Sequence, residues 1–200
     1  GALVYTPVPD ANGIAVITVT VTDDGNTNVG IGDDNSTSIQ FNVEVTAVND
    51  QPSFTKGLDI TVLEDSGTST NTDWATSIST GPSDESGQDV YFIVDLTTTN
   101  LLLFSSQPAI SSSGTLSFIT ATNANGIATV TVDLSDNGGT ANGGNDTSPN
   151  QTFTITVTAV NDEPSFTKGS NTTVLEDSGS STIANWATNL STGPSDESGQ

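Results

Sequence analysis

The 200-residue sequence has no cysteine, no histidine and no methionine, and it holds only two basic residues. The absence of cysteine excludes disulfides, thiolate catalysis and cysteine-type zinc sites. The absence of histidine removes the commonest general base and transition-metal ligand. Two basic residues against 24 acidic ones give a formal charge of −22. We therefore exclude nucleic acid as a partner, because nothing in the chain could neutralise its phosphates.

The same charge argues against docking on anionic lipid. No apolar run is long enough to cross a membrane, so we expect no direct membrane insertion in this segment. So many like charges repel one another unless salt or bound cations screen them. Divalent cations are therefore the partners that the composition favours.

The residues that are abundant are those of strands and turns. Threonine, serine, asparagine, aspartate and glycine dominate, with valine and isoleucine as the main apolar residues. Alternation with period two predicts a strand at Ile17, Val19 and Val21, at Phe41, Val43 and Val45, and at Phe153, Ile155 and Val157. Further predicted strands are 60–63, 90–96, 101–104, 115–120 and 127–134, separated by Gly-containing turns such as Asn125-Gly126. About seven short strands in roughly 110 residues indicate an all-β, immunoglobulin-like sandwich.

An internal repeat sets the domain organisation. Residues 47–88 and 159–200 share 32 of 42 positions at an offset of 112 residues, and the segment from Gly1 resembles the segment from Gly114. We interpret the chain as the C-terminal half of one repeat (1–48), a complete repeat (49–160) and the N-terminal part of a third (161–200), cut from a longer array. Trp74 and Trp186 occupy equivalent positions and are predicted to anchor the core of each repeat.

Several segments resemble those of cadherin domains. AVNDQPSF (47–54) and AVNDEPSF (159–166) look like the asparagine–aspartate linker between cadherin domains and the proline and aromatic residue after it. TVLEDSG (61–67) resembles the acidic end of the first cadherin strand, and SDESGQDVYFIV (83–94) resembles the acidic turn before a core strand. The segment YTPVPDANGIAVITVTVTDDG (5–25) is similar to the late hairpin of bacterial cadherin-like repeats in very large surface adhesins.

This resemblance implies tandem cadherin-like β-sandwich domains of about 112 residues, at a bacterial cell surface or secreted, with Ca²⁺ bound where neighbouring repeats meet. Calcium takes six to eight oxygen ligands and needs neither histidine nor cysteine. For the junction near residue 161 the implied ligands are Glu64, Asp65, Asn161, Asp162, Asp196 and Glu197. For the junction near residue 49 they are Asn49, Asp50, Asp84 and Glu85. Glu176 and Asp177 would serve a following junction.

Two features depart from the family pattern. The linker has Ala47 and Ala159 where the family has an aspartate, and the family's internal acidic pair preceded by arginine has no counterpart. The alternative interpretation is that the carboxylates cap turns and keep the surface solvated. A second acidic group, interpreted as solvated loop residues, comprises Asp23, Asp24, Asp33, Asp34 and Asn35, with its counterpart in Asp133, Asp136, Asn145 and Asp146.

Two functions remain, and neither is enzymatic, because the carboxylate pairs recur beside turns at each repeat. The first is the stalk of an adhesin, in which calcium-rigidified repeats extend a binding tip. The second is a self-assembling extracellular filament or sheath, in which identical chains associate through exposed strand edges. The candidate edges are Ile39–Val48 and Phe153–Val160, which contain neither lysine nor proline. Size in solution separates the two, because a stalk stays monomeric and a filament polymerises.

Overall fold

The computed structural model describes residues 1–23, 37–96 and 101–199. Contacts divide the described residues into two compact units. The first comprises Gly1–Ser53, Ser79–Val90 and Ser135–Ser148, and the second comprises Phe54–Ile78, Tyr91–Leu134 and Pro149–Gln200. The protein is all-β, as predicted, with short 3₁₀ turns as its helical elements. No helix within the described ranges is both long enough and apolar enough to span a membrane.

The described strands are β1 (Gly13–Val19), β2 (Ile39–Val45), β3 (Ser53–Thr55), β4 (Ile60–Leu63), β5 (Thr68–Asn71), β6 (Thr76–Ser79), β7 (Val90–Leu96), β8 (Phe104–Ile110), β9 (Leu116–Thr120), β10 (Gly126–Asp136), β11 (Gln151–Thr158), β12 (Ser165–Lys168) and β13 (Ala187–Ser191). The 3₁₀ turns are Ser83–Glu85, Leu101–Leu103, Ala141–Gly143 and Ser195–Glu197.

The described residues of the first unit form an antiparallel hairpin and two 3₁₀ turns. β1 pairs with β2 from Gly13 opposite Val45 to Val19 opposite Ile39. The turns Ser83–Glu85 and Ala141–Gly143 belong to the same unit. The alternation predicted for the hairpin is visible on β2 from Phe41 to Val45, where every second residue is half-buried. On β1 only Ile17 is half-buried, and Val19 and Val21 are exposed, so the predicted alternation is not seen there.

Two larger sheets characterise the second unit. One has four strands in the order β4-β11-β10-β7, and the other has three in the order β5-β9-β8. β10 and β11 are antiparallel, whereas β11 and β4 are parallel, with Ile155 opposite Ile60. The pairs β3-β6 and β12-β13 form separate two-stranded sheets.

The core of the second unit follows from period-two alternation. Phe153, Ile155 and Val157 of β11 are each at most 2% exposed, and the threonines between them are half-buried or exposed. The ring centroids of Trp74 and Phe153 lie 4.3 Å apart, and Trp74 Nε1 donates a hydrogen bond to the Leu58 carbonyl at 3.0 Å. Trp74 therefore anchors this core as predicted, with its one polar atom satisfied.

The prediction for Trp186 is wrong. Its side chain is 41% exposed, although its Nε1 donates to the Ser170 carbonyl at 3.0 Å, just as Trp74 bonds Leu58. The local turn is thus repeated, but no described residue packs on Trp186 as Phe153 packs on Trp74. β13 repeats β6 after the tryptophan, but the 200-residue sequence contains no position equivalent to Phe153 in the repeat of Trp186.

Two strand predictions also require correction. Residues 101–104 were predicted as a strand, but Leu101–Leu103 form a 3₁₀ turn and β8 begins at Phe104. Three consecutive leucines do not alternate, and only Leu103 is buried among them. The segment 153–160 is not an edge, because β11 lies between β4 and β10. Asp24, Asp33, Asp34 and Asn35 lie outside the described residues.

Candidate functional site

In the first unit, polar side chains converge on Asn49. The Asn49 amide nitrogen donates to Asp136 Oδ1 at 3.0 Å and to the Asn145 carbonyl at 2.8 Å. The Asn49 amide oxygen accepts a hydrogen bond from Gln88 Nε2 at 2.7 Å. We call Asn49, Asp50, Asp84, Glu85, Gln88 and Asp136 the Asn49 cluster. Asn49 is thereby tied to a turn that lies 87 positions away in sequence.

Asp136 is a buried member of this cluster, with 3% of its surface exposed. It ends β10, and its backbone N–H donates to the Asp146 carbonyl at 3.0 Å, which fixes its position. Its Oδ1 also accepts from the Gly138 N–H at 2.9 Å, while its buried Oδ2 has no hydrogen-bond partner among the described residues. The interpretation of Asp136 as a solvated loop residue is therefore wrong.

The glycine two residues after Asp136 permits this packing. A Cβ atom at Gly138 would overlap Asn49 Oδ1 and lie 2.6 Å from Gln88 Nε2. Only a glycine lets the backbone approach the Asn49 amide so closely. The segment Asp136-Asn137-Gly138 thus provides a carboxylate that bonds the Asn49 amide and, at Gly138, the space that this amide occupies.

Glu85 is the second buried carboxylate of the cluster, at 5% exposed. Its Oε1 accepts a hydrogen bond from the Asp50 N–H at 2.6 Å, and its buried Oε2 has no partner in the described part of the chain. Gly81, at φ +142°, closes over Oε2, where a Cβ atom would overlap that oxygen. Asp84, beside Glu85, is exposed and accepts from Asn12 Nδ2 at 3.0 Å.

A cleft of about 200 Å³ borders these groups. It is lined by Asn12, Ala47, Val48, Asn49, Asp84, Glu85, Gln88, Gly138 and Ala141. The Gln88 amide oxygen is buried and lacks a partner among the described residues. Space beside carboxylate and amide oxygens is the setting that a hard cation with its waters requires.

In the second unit, five carboxylates form a comparable group. We call Glu64, Asp65, Asp162, Asp196 and Glu197 the Asp162 cluster. The Asp162 N–H donates to Glu197 Oε1 at 2.6 Å, the same contact that joins Asp50 to Glu85. The buried atoms Asp162 Oδ2 and Glu197 Oε2 have no hydrogen-bond partner within the described ranges.

Glu64 is held at this cluster by the sheet. It directly follows β4, and its N–H donates to the Thr158 carbonyl at 2.9 Å, which extends the parallel pairing with β11. Its carboxylate, 2% exposed, accepts from the Val160 N–H at 2.6 Å. A buried carboxylate without a basic partner carries a desolvation cost that such hydrogen bonds reduce only in part.

Two asparagines donate to carboxylates of this cluster. Asn125 Nδ2 lies 3.3 Å from Glu64 Oε2 and 3.5 Å from Asp196 Oδ2. Asp65 accepts from the Asn123 N–H at 3.1 Å. Asn125 corresponds in the repeat to Asn12, which bonds Asp84 in the first unit. Asn125 was predicted only as a turn residue. The shared segment Ala-Asn-Gly-Ile-Ala (11–15 and 124–128) is the signal that could have revealed a second role for Asn12 and Asn125.

Negative charge accumulates at the Asp162 carboxyl. Burial, followed by the negative charges of the other members of the cluster, raises its pKa above the ordinary value. Those charges are, in decreasing order of effect, Glu197, Asp65, Asp196 and Glu64. Each of them opposes ionisation of Asp162, so a cation at this position would relieve a repulsion that already exists.

The other predicted ligands lie apart from these contacts. The Asn161 amide donates to the Asp162 carbonyl at 2.9 Å and bonds no carboxylate of the cluster. Glu176 and Asp177 are exposed. Among the described residues, no group of three or more carboxylates is already arranged to hold a metal ion. Both clusters contain buried oxygens without a hydrogen-bond donor among the described residues, and the one that recurs in both is the Oε2 atom of the glutamate, Glu85 or Glu197.

No family model, no curated protein and no solved structure matches the chain.

Proposed function

We propose that the chain is an extension segment of a bacterial surface adhesin, built of tandem cadherin-like repeats that Ca²⁺ stiffens at the two clusters. The observation that carries the proposal is the repeated pairing of a linker aspartate N–H with a buried glutamate whose second oxygen lacks a partner among the described residues. The proposed role is mechanical and extracellular, with neighbouring repeats of the same chain as its partners.

The strand order supports the cadherin-like part of this proposal. In the order β4-β11-β10-β7 the first strand of the sandwich lies parallel to the last, and β5-β9-β8 forms the second sheet. Seven strands in two sheets are the number that an immunoglobulin-like sandwich uses. The repeated sequence supports the tandem part, since 32 of 42 positions coincide at an offset of 112.

The donor set supports calcium. Within the two clusters, the buried oxygens without a partner among the described residues belong to carboxylates and one amide: Glu85 Oε2, Gln88 Oε1, Asp136 Oδ2, Asp162 Oδ2 and Glu197 Oε2. A buried polar atom left unpaired costs about 1–3 kcal/mol, and a bound cation would offset that cost at these five oxygens. Hard divalent cations bind such oxygens, and calcium tolerates irregular geometry better than magnesium.

The consequence for the chain would be stiffness at the linkers. Bound calcium would supply positive charge that offsets the repulsion among the carboxylates. Asn49 and Asp50 in one linker, and Asp162 in the other, are already tied through their own atoms to turns far away in sequence. An ion held by the same side chains would fix each linker more firmly to its turn.

Thermal unfolding of the 200-residue chain in Ca²⁺ and in excess chelator tests the proposal. A ligand at 100 times its Kd stabilises the native state by about 2.7 kcal/mol, which corresponds to a rise in Tm of roughly 10 °C. Tryptophan fluorescence reports on the second unit, because Trp74 and Trp186 both belong to it. A Tm that is the same in Ca²⁺ and in chelator would contradict the proposal.

Asp162→Asn is the variant and Asp73→Asn its matched control. Asp162→Asn should abolish the calcium-dependent rise of the fluorescence transition. Asp73 is an exposed residue of the same unit at φ 54°, and the repeat has Asn185 at the equivalent position. Asp73→Asn removes one negative charge without touching the cluster, so it should keep the full rise.

A further inference from the structure

The two larger sheets have four outer strands, and three of these are protected against pairing. β4 and β7 border the four-stranded sheet, and β5 and β8 border the three-stranded sheet. Outer strands leave N–H and C=O groups unpaired, and natural sheets protect them by short length, proline, charge or irregular register. β4 and β5 have four residues each, and β8 contains Pro108 and two shifts of register.

β7 has neither the short length of β4 and β5 nor the proline of β8. It is seven residues long, VYFIVDL, with no proline, no lysine and a single charge at Asp95. Its inner side chains are half-buried, and Phe92 packs edge-on against Phe54 with ring centroids 5.1 Å apart. Its outer side chains include Tyr91, 54% exposed, and Ile93, 44% exposed. Among the described residues no strand pairs with its outer edge.

We propose that β7 is an association surface, to which a second copy of the chain adds its own β7 in antiparallel orientation with Ile93 opposite Ile93. Two identical strands related by a two-fold axis pair antiparallel about a common centre. Ile93 is the middle residue of β7, so this centre uses all seven residues on both copies.

The outer side chains favour this centre over the neighbouring ones. With Ile93 at the centre, Tyr91 of one copy stands opposite Asp95 of the other, and a phenol can donate a hydrogen bond to a carboxylate. A centre at Asp95 would place two carboxylates directly opposite each other, which is destabilising. A centre at Tyr91 would leave the last residues of the strand without partners.

The net charge of the chain sets the conditions for association. Two copies of formal charge −22 repel each other at long range, and salt screens that repulsion. Pairing through backbone groups and apolar side chains should therefore strengthen as NaCl rises, the opposite of association through ion pairs. Calcium at the clusters is not needed for this contact.

Sedimentation equilibrium of the whole chain, in chelator and at increasing NaCl, tests the proposal. The unmodified chain should show twice the monomer mass at high concentration, and Ile93→Lys should return it to the monomer mass. Leu63→Lys is the matched control, because Leu63 is 53% exposed on β4 at the opposite border of the same sheet. The Leu63→Lys variant should remain dimeric. A monomeric unmodified chain, or a dimer that survives Ile93→Lys, would overturn the proposal.

Cysteine cross-linking tests the register, since the sequence has no cysteine of its own. Residues directly opposite in an antiparallel pair have Cα atoms about 4.5–5.5 Å apart, within the disulfide range of about 4.4–6.8 Å. Ile93→Cys should therefore form a covalent dimer on oxidation. Tyr91→Cys and Asp95→Cys should each remain monomeric alone and cross-link when mixed. Equal cross-linking of Ile93→Cys and Leu63→Cys would mean non-specific encounter and would overturn the proposal, as would capture of a different protein's strand in place of a second copy.

Discussion

The N–H of Asp162 donates to Oε1 of Glu197 at 2.6 Å, and 112 residues earlier the N–H of Asp50 makes the same bond to Glu85. In both pairs the glutamate follows its aspartate by 35 positions. In both, the glutamate is 5% exposed and its Oε2 has no partner among the described residues. One oxygen of each glutamate thus holds the backbone of its aspartate, and the other is buried without a hydrogen-bond partner among the described residues.

Replacing Glu197 separates these two roles. Glu197→Gln keeps an acceptor for the Asp162 N–H but removes the charge, so stability in chelator should change little while the calcium-dependent rise in Tm is lost. Glu197→Ala removes the acceptor as well and should cost about 1 kcal/mol more in chelator. Thermal unfolding followed by tryptophan fluorescence measures both effects. If the two variants behave identically in chelator, the hydrogen bond to Asp162 does not stabilise the linker.

Asp136 allows the corresponding experiment in the first unit. Asp136→Ala leaves the Asn49 amide and the Gly138 N–H without their shared acceptor, and we expect a loss of about 2 kcal/mol in chelator. Asp136→Asn keeps an acceptor and should lose less than half of that. Because no tryptophan lies in the first unit, calorimetry is the appropriate measurement.

Calcium binding provides the second readout for Asp136. Titration calorimetry should show fewer bound ions, or weaker binding, for Asp136→Asn than for the unmodified chain. Exposed Asp10, also in the first unit, supplies the control variant Asp10→Asn. Unchanged calcium binding in Asp136→Asn would remove Asp136 from the set of ligands.

The two tryptophans should respond differently to truncation. Trp74 is 5% exposed and contacts Phe153, so Trp74→Ala should cost about 3–5 kcal/mol. Trp186 is 41% exposed, so Trp186→Ala should cost about 1 kcal/mol or less. Chemical denaturation followed by circular dichroism compares the variants without needing either fluorophore. Equal losses would indicate that Trp186 has a packing partner beyond the described residues.

The sequence predicted those features of the fold that depend on neighbouring residues. Alternating valine, isoleucine and phenylalanine located β4, β7, β10 and β11 almost to the residue. The strand prediction was wrong at Leu101–Leu103, where three identical residues show no alternation and a 3₁₀ turn forms instead. It also misjudged β11 as an edge, because strand order depends on pairings between segments distant in sequence.

The candidate site shows the same limit. The resemblance named Asp50, Glu85, Asp162 and Glu197, which the structure joins in two matching pairs. The resemblance did not identify Asp136, because its contact with Asn49 spans 87 positions and no local sequence pattern predicts that contact. The sequence Asp136-Asn137-Gly138-Gly139 is typical of a turn. Only the folded structure shows that the Asp136 carboxylate is buried.

A prediction about pH concerns Asp133. Burial raises the pKa of its carboxyl above the ordinary value, and its Oδ1 is buried without a partner in the described part of the chain. The folded protein therefore holds this proton more tightly than the unfolded chain does, and ionisation of Asp133 destabilises the fold. The penalty is fully present at neutral pH and disappears as pH falls through the folded pKa and then the unfolded pKa of about 4.

Asp133→Asn removes the ionisation, so the variant should be more stable than the unmodified chain at neutral pH by less than about 1 kcal/mol, a small value because the side chain is only half-buried. The difference between the two proteins should shrink toward zero as pH falls below about 4. Urea unfolding of both proteins across this pH range, in chelator, measures the difference in their free energies of unfolding. The titration of distant groups contributes equally to both proteins and cancels in that difference. Asp59→Asn is the control for the direction of the stability change. The Asp59 carboxylate accepts a hydrogen bond from the Thr154 N–H at 2.8 Å, so removing its charge should not stabilise the fold. A gain for Asp133→Asn that persists unchanged at low pH would show that packing, and not charge, is its cause.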